Sequence, residues 1–134
     1  MSEGVVSDRE APGPVQVLPD DIGAGEALRG LGRSVGWHVA RIDLDGCRDK
    51  AELLERTATA LAFPQWFGGN WDALYDCLAD LGWRSAPGHL LVFENAGGLR
   101  REAPEVFDTA VAVLDDAAAA WDHRSVPFRA FLLG

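Results

Sequence analysis

Short apolar segments alternate with helix-like segments along this chain of 134 residues, and this alternation is the strongest constraint on its fold. The apolar segments are rich in residues that favour strands. They predict strands at Val15–Leu18, Trp37–Leu44, His89–Phe93 and Phe128–Leu133. Because strands that alternate with helices form parallel β-α-β units, the sequence predicts an α/β fold with a small parallel sheet of three or four strands, packed with helices.

The first two helical segments have marked beginnings. A helix is expected near residues 22–31, with Asp20 or Asp21 as its N-cap, although glycines weaken this prediction. The segment DKAELLERTATALAF places apolar residues at helical spacing, and Asp49 is its candidate N-cap. Both helices are therefore expected to begin at an aspartate.

The remaining helices lie in the second half of the chain. One is predicted from its N-cap Asn70 to Leu81. The most regular helical segment is APEVFDTAVAVLDDAAAAW, in which Pro104 occupies the first turn, where proline is tolerated. The pair Gly97–Gly98 between these elements is expected to form a simple turn.

The composition restricts the partners of the chain. A formal charge of −9 argues against nucleic acid, because a phosphate backbone requires a basic surface. Such a charge fits a cationic partner, although it also serves solubility alone. No apolar segment of about 20 residues is present, so we expect no membrane helix. Cys47 and Cys77 show neither metal-ligand nor CxxC spacing, and with no visible secretory signal a cytoplasmic location with reduced thiols is expected.

Three aspartates recur every four residues on the predicted helix that follows Asn70: Asp72, Asp76 and Asp80. At about 100° per residue they lie on one face, opposite the apolar face that carries Leu74 and Leu78. Like charges at this spacing destabilise an isolated helix by roughly 0.2–0.5 kcal/mol per pair. A short helix therefore carries a repulsive stripe that needs an explanation.

Three interpretations of the stripe remain open: a solvated outer face, an acidic interaction surface, and a catalytic or metal site. No basic residue occurs from Phe67 to Trp83, and aromatic residues flank the helix, as is typical of interface centres. Between Ala62 and Asp122, ten acidic residues stand against three basic ones. An interaction surface is therefore favoured over a solvated face.

A catalytic or metal site has less support. Asp72 and Asp76 are close enough to share a divalent ion, but sites for hard cations usually recruit ligands from several elements. His38, His89 and His123 show no ligand spacing, and the first two are expected to be core or edge residues. The sequence thus predicts no enzyme, no metal and no cofactor.

The segment FPQWFGGNWDALYDCLADLGW, followed by HLLVFEN, resembles the barstar family of intracellular ribonuclease inhibitors. The similarity runs from Trp37 to the C-terminus and divides the chain into a flexible tail (1–13), an N-terminal β-α extension (14–36) and a barstar-like domain (37–134). The extension is expected to add its strand beside the strand at Trp37–Leu44. The sequence departs from the small family member at Gly69, Trp71 and Tyr75.

The resemblance implies a function and a site. It implies an inhibitor that blocks the active site of a secreted bacterial ribonuclease, of the barnase or the guanyl-specific streptomycete type, and that acts as a monomer in a 1:1 complex. Asp76 would take the place of the RNA phosphate. The residues implied in partner binding are Asp76, Asp72, Trp66, Phe67, Gly68, Asn70, Tyr75, Asp80, Trp83 and Asp116. The alternative is an acidic interaction module that binds another basic toxin or a regulatory partner.

Overall fold

The structure, a computed structural model, describes residues 13–64, 69–80 and 85–134. Its strands and helices alternate along the chain. In chain order they are β1 (Val15–Leu18), α1 (Ala24–Ser34), β2 (His38–Asp43), α2 (Lys50–Leu61), α3 (Trp71–Ala79), β3 (His89–Glu94), α4 (Gly97–Glu102), α5 (Pro104–Asp122) and β4 (Phe128–Leu133). The predicted tail lies outside the described residues apart from Gly13.

The strands form one parallel sheet in the order β1-β4-β3-β2, which confirms the predicted α/β fold with four strands. The expected place of β1 is wrong, however. β1 pairs with β4 at the far edge of the sheet, with Val15 opposite Ala130, instead of beside β2. Residues 14–36 therefore contribute to the same sheet as the rest of the chain, and the predicted division at residue 36 stays a prediction.

The helices cover the two faces of the sheet unequally. Side chains of a strand alternate between the faces. On β4, Phe128, Ala130 and Leu132 enter the main core with residues of α2, α3, α4 and α5. Leu133 enters a smaller core on the other face, where α1 packs on β2 and β3. Within residues 13–64, 69–80 and 85–134, one face thus carries most of the helices, and the other carries only α1.

Helix α1 differs from its prediction. It begins at Ala24 and ends at Ser34, and its N-cap is Gly23 in the left-handed region (φ 83°), with no capping side chain. Neither Asp20 nor Asp21 caps it. Gly25 and Gly32 are buried, and a Cβ at Gly32 would lie 2.7 Å from side-chain atoms of β2 and β3. Of the glycines that weakened the prediction, Gly25 lies against Glu94, and Gly32, which was not among them, allows the helix to approach the sheet closely.

Several other boundaries also shift. Asp49 caps α2 as predicted, since its side chain accepts a hydrogen bond from the Glu52 N–H at 2.9 Å. β2 is one residue shorter at each end than predicted, and β3 extends to Glu94. The prediction of a simple turn at Gly97–Gly98 is wrong, because these residues begin the short helix α4.

A hydrogen bond between the side chains of Asp43 and Asn95 links the end of β2 to the end of β3. The Asn95 side-chain amide donates to Asp43 Oδ1 at 2.8 Å, and the Asp45 N–H donates to the same oxygen at 3.0 Å. The hydrogen bond from Asn95, followed by that from Asp45, lowers the pKa of Asp43 from its ordinary value. The folded state therefore favours the ionised carboxylate.

This hydrogen-bonded carboxylate predicts an acid sensitivity. Because its folded pKa is below its unfolded pKa of about 3.9, its stabilisation is present above about pH 4 and is lost as the pH falls through the folded pKa. We expect Asp43→Asn to flatten the fall in unfolding free energy below about pH 4, measured by urea denaturation. Asp108→Asn, on an exposed helix position, serves as the control. Equal slopes for Asp43→Asn and the unmodified chain would contradict this prediction.

Candidate functional site

Helix α3 is held at its N-terminus by the predicted cap. Asn70 is extended, and its side-chain oxygen accepts a hydrogen bond from the Ala73 N–H at 2.7 Å. Gly69 precedes it with φ 67°, a backbone conformation that favours glycine. The helix runs from Trp71 to Ala79, so it is shorter than predicted, and Asp80 is its C-cap. Its first turn is therefore fixed by its own sequence.

The C-terminus of α3 is held by side chains of α5 and of the residues after it. Trp121 Nε1 donates to the Leu78 carbonyl oxygen at 2.9 Å, and Arg124 Nη1 donates to the Ala79 carbonyl oxygen at 2.8 Å. The Arg124 guanidinium lies 4.5 Å from the centre of the Trp121 ring. Since the last carbonyls of a helix have no partner within it, these bonds satisfy them and fix α3 against α5.

The apolar and acidic side chains of α3 lie on opposite faces, as the helical periodicity predicted. Leu74, Cys77 and Leu78 are buried and pack toward the main core. Asp72, Asp76 and Asp80 are exposed on the other side. The carboxylates therefore face solvent while the apolar face anchors the helix.

An open groove of about 850 Å³ runs between α3 and α5, and we name it the acidic groove. Its lining combines carboxylates with aromatic and small side chains. The lining residues are Trp71, Asp72, Tyr75, Asp76, Val113, Asp116, Ala119, Ala120 and His123. Two helices thus bring three carboxylates, Asp72, Asp76 and Asp116, to one concave surface.

The structure accounts for the implied site residues in three groups. Asp72, Tyr75, Asp76 and Asp116 line the acidic groove together. Asn70 and Asp80 cap the two ends of α3, exposed beside the groove but not lining it. Trp66, Phe67, Gly68 and Trp83 lie outside the described residues.

Four residues of the acidic groove were not predicted from the sequence: Val113, Ala119, Ala120 and His123. Trp71, which also lines the groove, was predicted only as a departure from the family pattern. The sequence does contain a pattern that indicates these four residues. Val113 lies three residues before Asp116, and Ala119, Ala120 and the C-cap His123 lie three, four and seven residues after it, which is the spacing of one helical face. The helical periodicity that places Asp72 and Asp76 on one face of α3 thus indicates these positions as well.

The carboxylates of the acidic groove are not neutralised within the described chain. The ion pairs of the described residues are formed by Arg29, Arg41 and Arg56. These arginines bind carboxylates of α2, β2 and β3, not those of the groove. Across residues 13–64, 69–80 and 85–134, no ion pair includes Asp72, Asp76, Asp80 or Asp116. Asp43, Glu52 and Glu94 are compensated in this way, whereas the carboxylates of the groove form no ion pair within the described residues.

Two neighbouring groups respond to this charge. Burial, followed by the negative charges of Asp76 and Asp80, raises the pKa of the Cys77 thiol. Burial, and then the charge of Asp116, raises the pKa of Asp115. In both cases burial is the larger cause, and the nearby aspartates add to it because they disfavour a further negative charge.

The described residues offer little for metal chemistry. Among them, no group of three or more histidine, cysteine or acidic side chains is arranged to hold a metal ion. His89 is buried in β3, and its Nδ1 lies 2.9 Å from that of His38 on β2, so both are core or edge residues as predicted. No helix in the described part is long and apolar enough to cross a membrane.

The fold and the groove together define a small α/β protein that presents an acidic, partly aromatic concave surface built from two helices. A family model described as barstar (barnase inhibitor) matches residues 37–133. The chain belongs to the barstar family, as the resemblance predicted. Proteins of this family are inhibitors that bind a ribonuclease. No curated protein matches the chain.

Proposed function

We propose that this chain inhibits a cationic bacterial ribonuclease, of the barnase or the guanyl-specific streptomycete type, by inserting Asp76 into its active site. The observation that carries the proposal is the acidic groove, in which Asp72, Asp76 and Asp116 converge without an ion pair in the described residues. A ribonuclease holds phosphate with arginine, lysine and histidine. A positioned carboxylate therefore meets donors that are already oriented toward an anion.

The proposed interface extends beyond the groove. By the family resemblance, Trp66, Phe67 and Gly68 precede α3 as a contact loop, and Trp83 follows the helix. Tyr75, half-buried in the groove, can pack its ring against the partner while its hydroxyl reaches water or a polar group. Aromatic residues around a charged centre exclude water and strengthen the ion pairs. The proposed partner is thus bound by a charged centre with an aromatic rim, in a 1:1 complex and without a cofactor.

The repulsive stripe on α3 has a place in this mechanism. In the free chain, the aspartates cost the helix a few tenths of a kcal/mol per pair. Binding a cationic cleft replaces this repulsion by attraction, so the penalty in the free state adds to the gain on association. Location in the cytoplasm would keep the chain with a nuclease before its export.

The direct test is RNA cleavage by purified barnase in the presence of a stoichiometric amount of the full chain. We expect cleavage to stop, and a pull-down from the secreted proteins of the source organism to retain a basic ribonuclease. Retention of a basic protein whose RNA cleavage is unaffected would instead support the alternative of a regulatory or toxin-binding module. Turnover of RNA or any metabolite by the chain alone would contradict both.

The charge of the groove also predicts a salt-dependent association. Raising the ionic strength from 0.1 M to 1 M shortens the screening length from about 10 Å to about 3 Å. The association rate with barnase is expected to fall about tenfold or more, because the negative field no longer steers the encounter. Stopped-flow fluorescence measures this rate, and the dissociation rate serves as the internal comparison. An association rate that does not change with salt would contradict electrostatic steering.

A further inference from the structure

Within the described residues, α1 alone packs on its face of the sheet and covers that face in part. α1 packs on β2 and β3, and Gly32 brings it into close contact with Val39 and Leu90. A helix is about 10 Å wide and strands are about 4.8 Å apart, so one helix covers roughly two strands. Within the described residues, the helix therefore leaves part of this face near β4 and β1 uncovered, although Leu133 of β4 is buried there.

A second groove of about 380 Å³ occupies this open part, and we name it the α1 groove. Its walls are mostly apolar and include two aromatic rings. It is lined by Gly13, Gln16, Leu28, Leu31, Gly32, Val35, Trp37, Leu90, Arg129 and Phe131. Leu31 and Val35 are 67% and 60% exposed, although large apolar side chains are usually covered. Val17 and Ile22, the other large hydrophobic side chains exposed in the described residues, also belong to residues 14–36.

Arg129 is the single charged residue among those that line the α1 groove. Its Nη1 donates to the Phe128 carbonyl oxygen at 3.1 Å, and within the described residues it forms no ion pair. Arg129 also lines a separate crevice with Asp115 and Asp122, although it forms no ion pair with either. An unpaired guanidinium at an apolar groove, in a chain of charge −9, is complementary to one anionic group.

We propose that the α1 groove binds a small molecule with an apolar body and a single carboxylate. Small-ligand sites are about 300–1,000 Å³ in volume, and they combine apolar and aromatic walls with a few polar groups that fix the orientation of the ligand. The α1 groove has this volume and this composition, with Arg129 and Gln16 as its polar groups. It lies on the face of the sheet opposite the main core, so the proposal does not depend on ribonuclease binding.

The test is a titration of the full chain by NMR, in which the methyl groups of Leu28, Leu31 and Val35 report binding. The probes are octanoate and 2-naphthoate, which carry a chain and an aromatic body, with octan-1-ol and acetate as comparisons. We expect saturable shifts at these methyl groups with at least one of the two carboxylates, and none with acetate. The better carboxylate identifies the shape of the apolar body. The proposal would be overturned if neither carboxylate bound saturably up to about 10 mM, roughly the weakest dissociation constant that matters here. It would also be overturned if the shifts were confined to other regions of the chain.

Two variants separate the roles of charge and apolar surface. Arg129→Gln is expected to weaken carboxylate binding about fivefold, the upper range for an exposed ion pair, and to leave octan-1-ol unaffected. Leu31→Gln is expected to weaken the binding of both the carboxylate and octan-1-ol, since it removes part of the apolar wall of the groove. Arg33→Gln, an exposed arginine of α1 outside the groove, is the matched control and is expected to change neither. Equal carboxylate affinities for the unmodified chain and Arg129→Gln would overturn the assignment of Arg129.

Discussion

Replacing Asp76 by alanine is expected to weaken binding to barnase by roughly a hundredfold to several thousandfold. Removing one partner of a buried ion pair costs about 3–5 kcal/mol, because the opposite charge stays desolvated and unpaired. Each 1.4 kcal/mol is about a tenfold change in the dissociation constant. Asp76 is exposed in the free chain, and alanine favours a helix more than aspartate does, so the variant should fold. Inhibition titrations of RNA cleavage measure the affinity.

The control for this variant is Asp108→Ala. Asp108 is an exposed aspartate of α5 that does not line the acidic groove, so the substitution removes the same charge from the same layer of helices. Its effect should be small and confined to the association rate, which responds to net charge. Similar losses for Asp76→Ala and Asp108→Ala would show that total charge, and not the groove, determines the affinity.

The second large effect is expected on stability. Leu78 is fully buried at the contact of α3 with the main core, where Leu53, Leu114 and Phe93 lie nearby around a very small cavity. Leu78→Ala is expected to lower the free energy of unfolding by about 2–5 kcal/mol, because the lost methyl groups leave a cavity that the core fills incompletely. Urea denaturation measures the change.

Leu31→Ala is the matched control for this prediction. It removes the same atoms from a leucine that is 67% exposed on α1, and surface substitutions usually change stability by less than about 0.5 kcal/mol. A loss for Leu78→Ala no larger than that for Leu31→Ala would mean that α3 is not anchored as the structure shows.

Local sequence signals predicted much of the fold. The capping residues Asp49 and Asn70 each accept the expected hydrogen bond, because an N-cap depends on neighbouring residues alone. The first and last strands of the chain, Val15–Leu18 and Phe128–Leu133, have the predicted bounds, since apolar β-rich segments are short and clearly flanked. The acidic and apolar faces of α3 also follow from helical periodicity.

The errors concern features that depend on distant parts of the chain. The sequence of β1 does not show which strand it pairs with, and in the structure it pairs with β4. α1 begins at a left-handed glycine, and its buried Gly25 and Gly32 are explained by the side chains they meet on the sheet. For the candidate site, the meeting of Asp116 with Asp72 and Asp76 was implied by the family resemblance. Helical spacing from Asp116 indicates the position of His123, and the packing of α3 on α5 shows that it lines the groove.

The two bonds from Trp121 and Arg124 to the end of α3 have a consequence for how a partner is met. They join the two helices before any encounter, so the spacing of the carboxylates is set in advance. A target of the proposed kind would then meet helices that are already joined, and little conformational entropy would be lost on this side of the complex. A substitution that removes either hydrogen bond would slow complex formation without touching the interface, because α3 and α5 would first have to reach this arrangement.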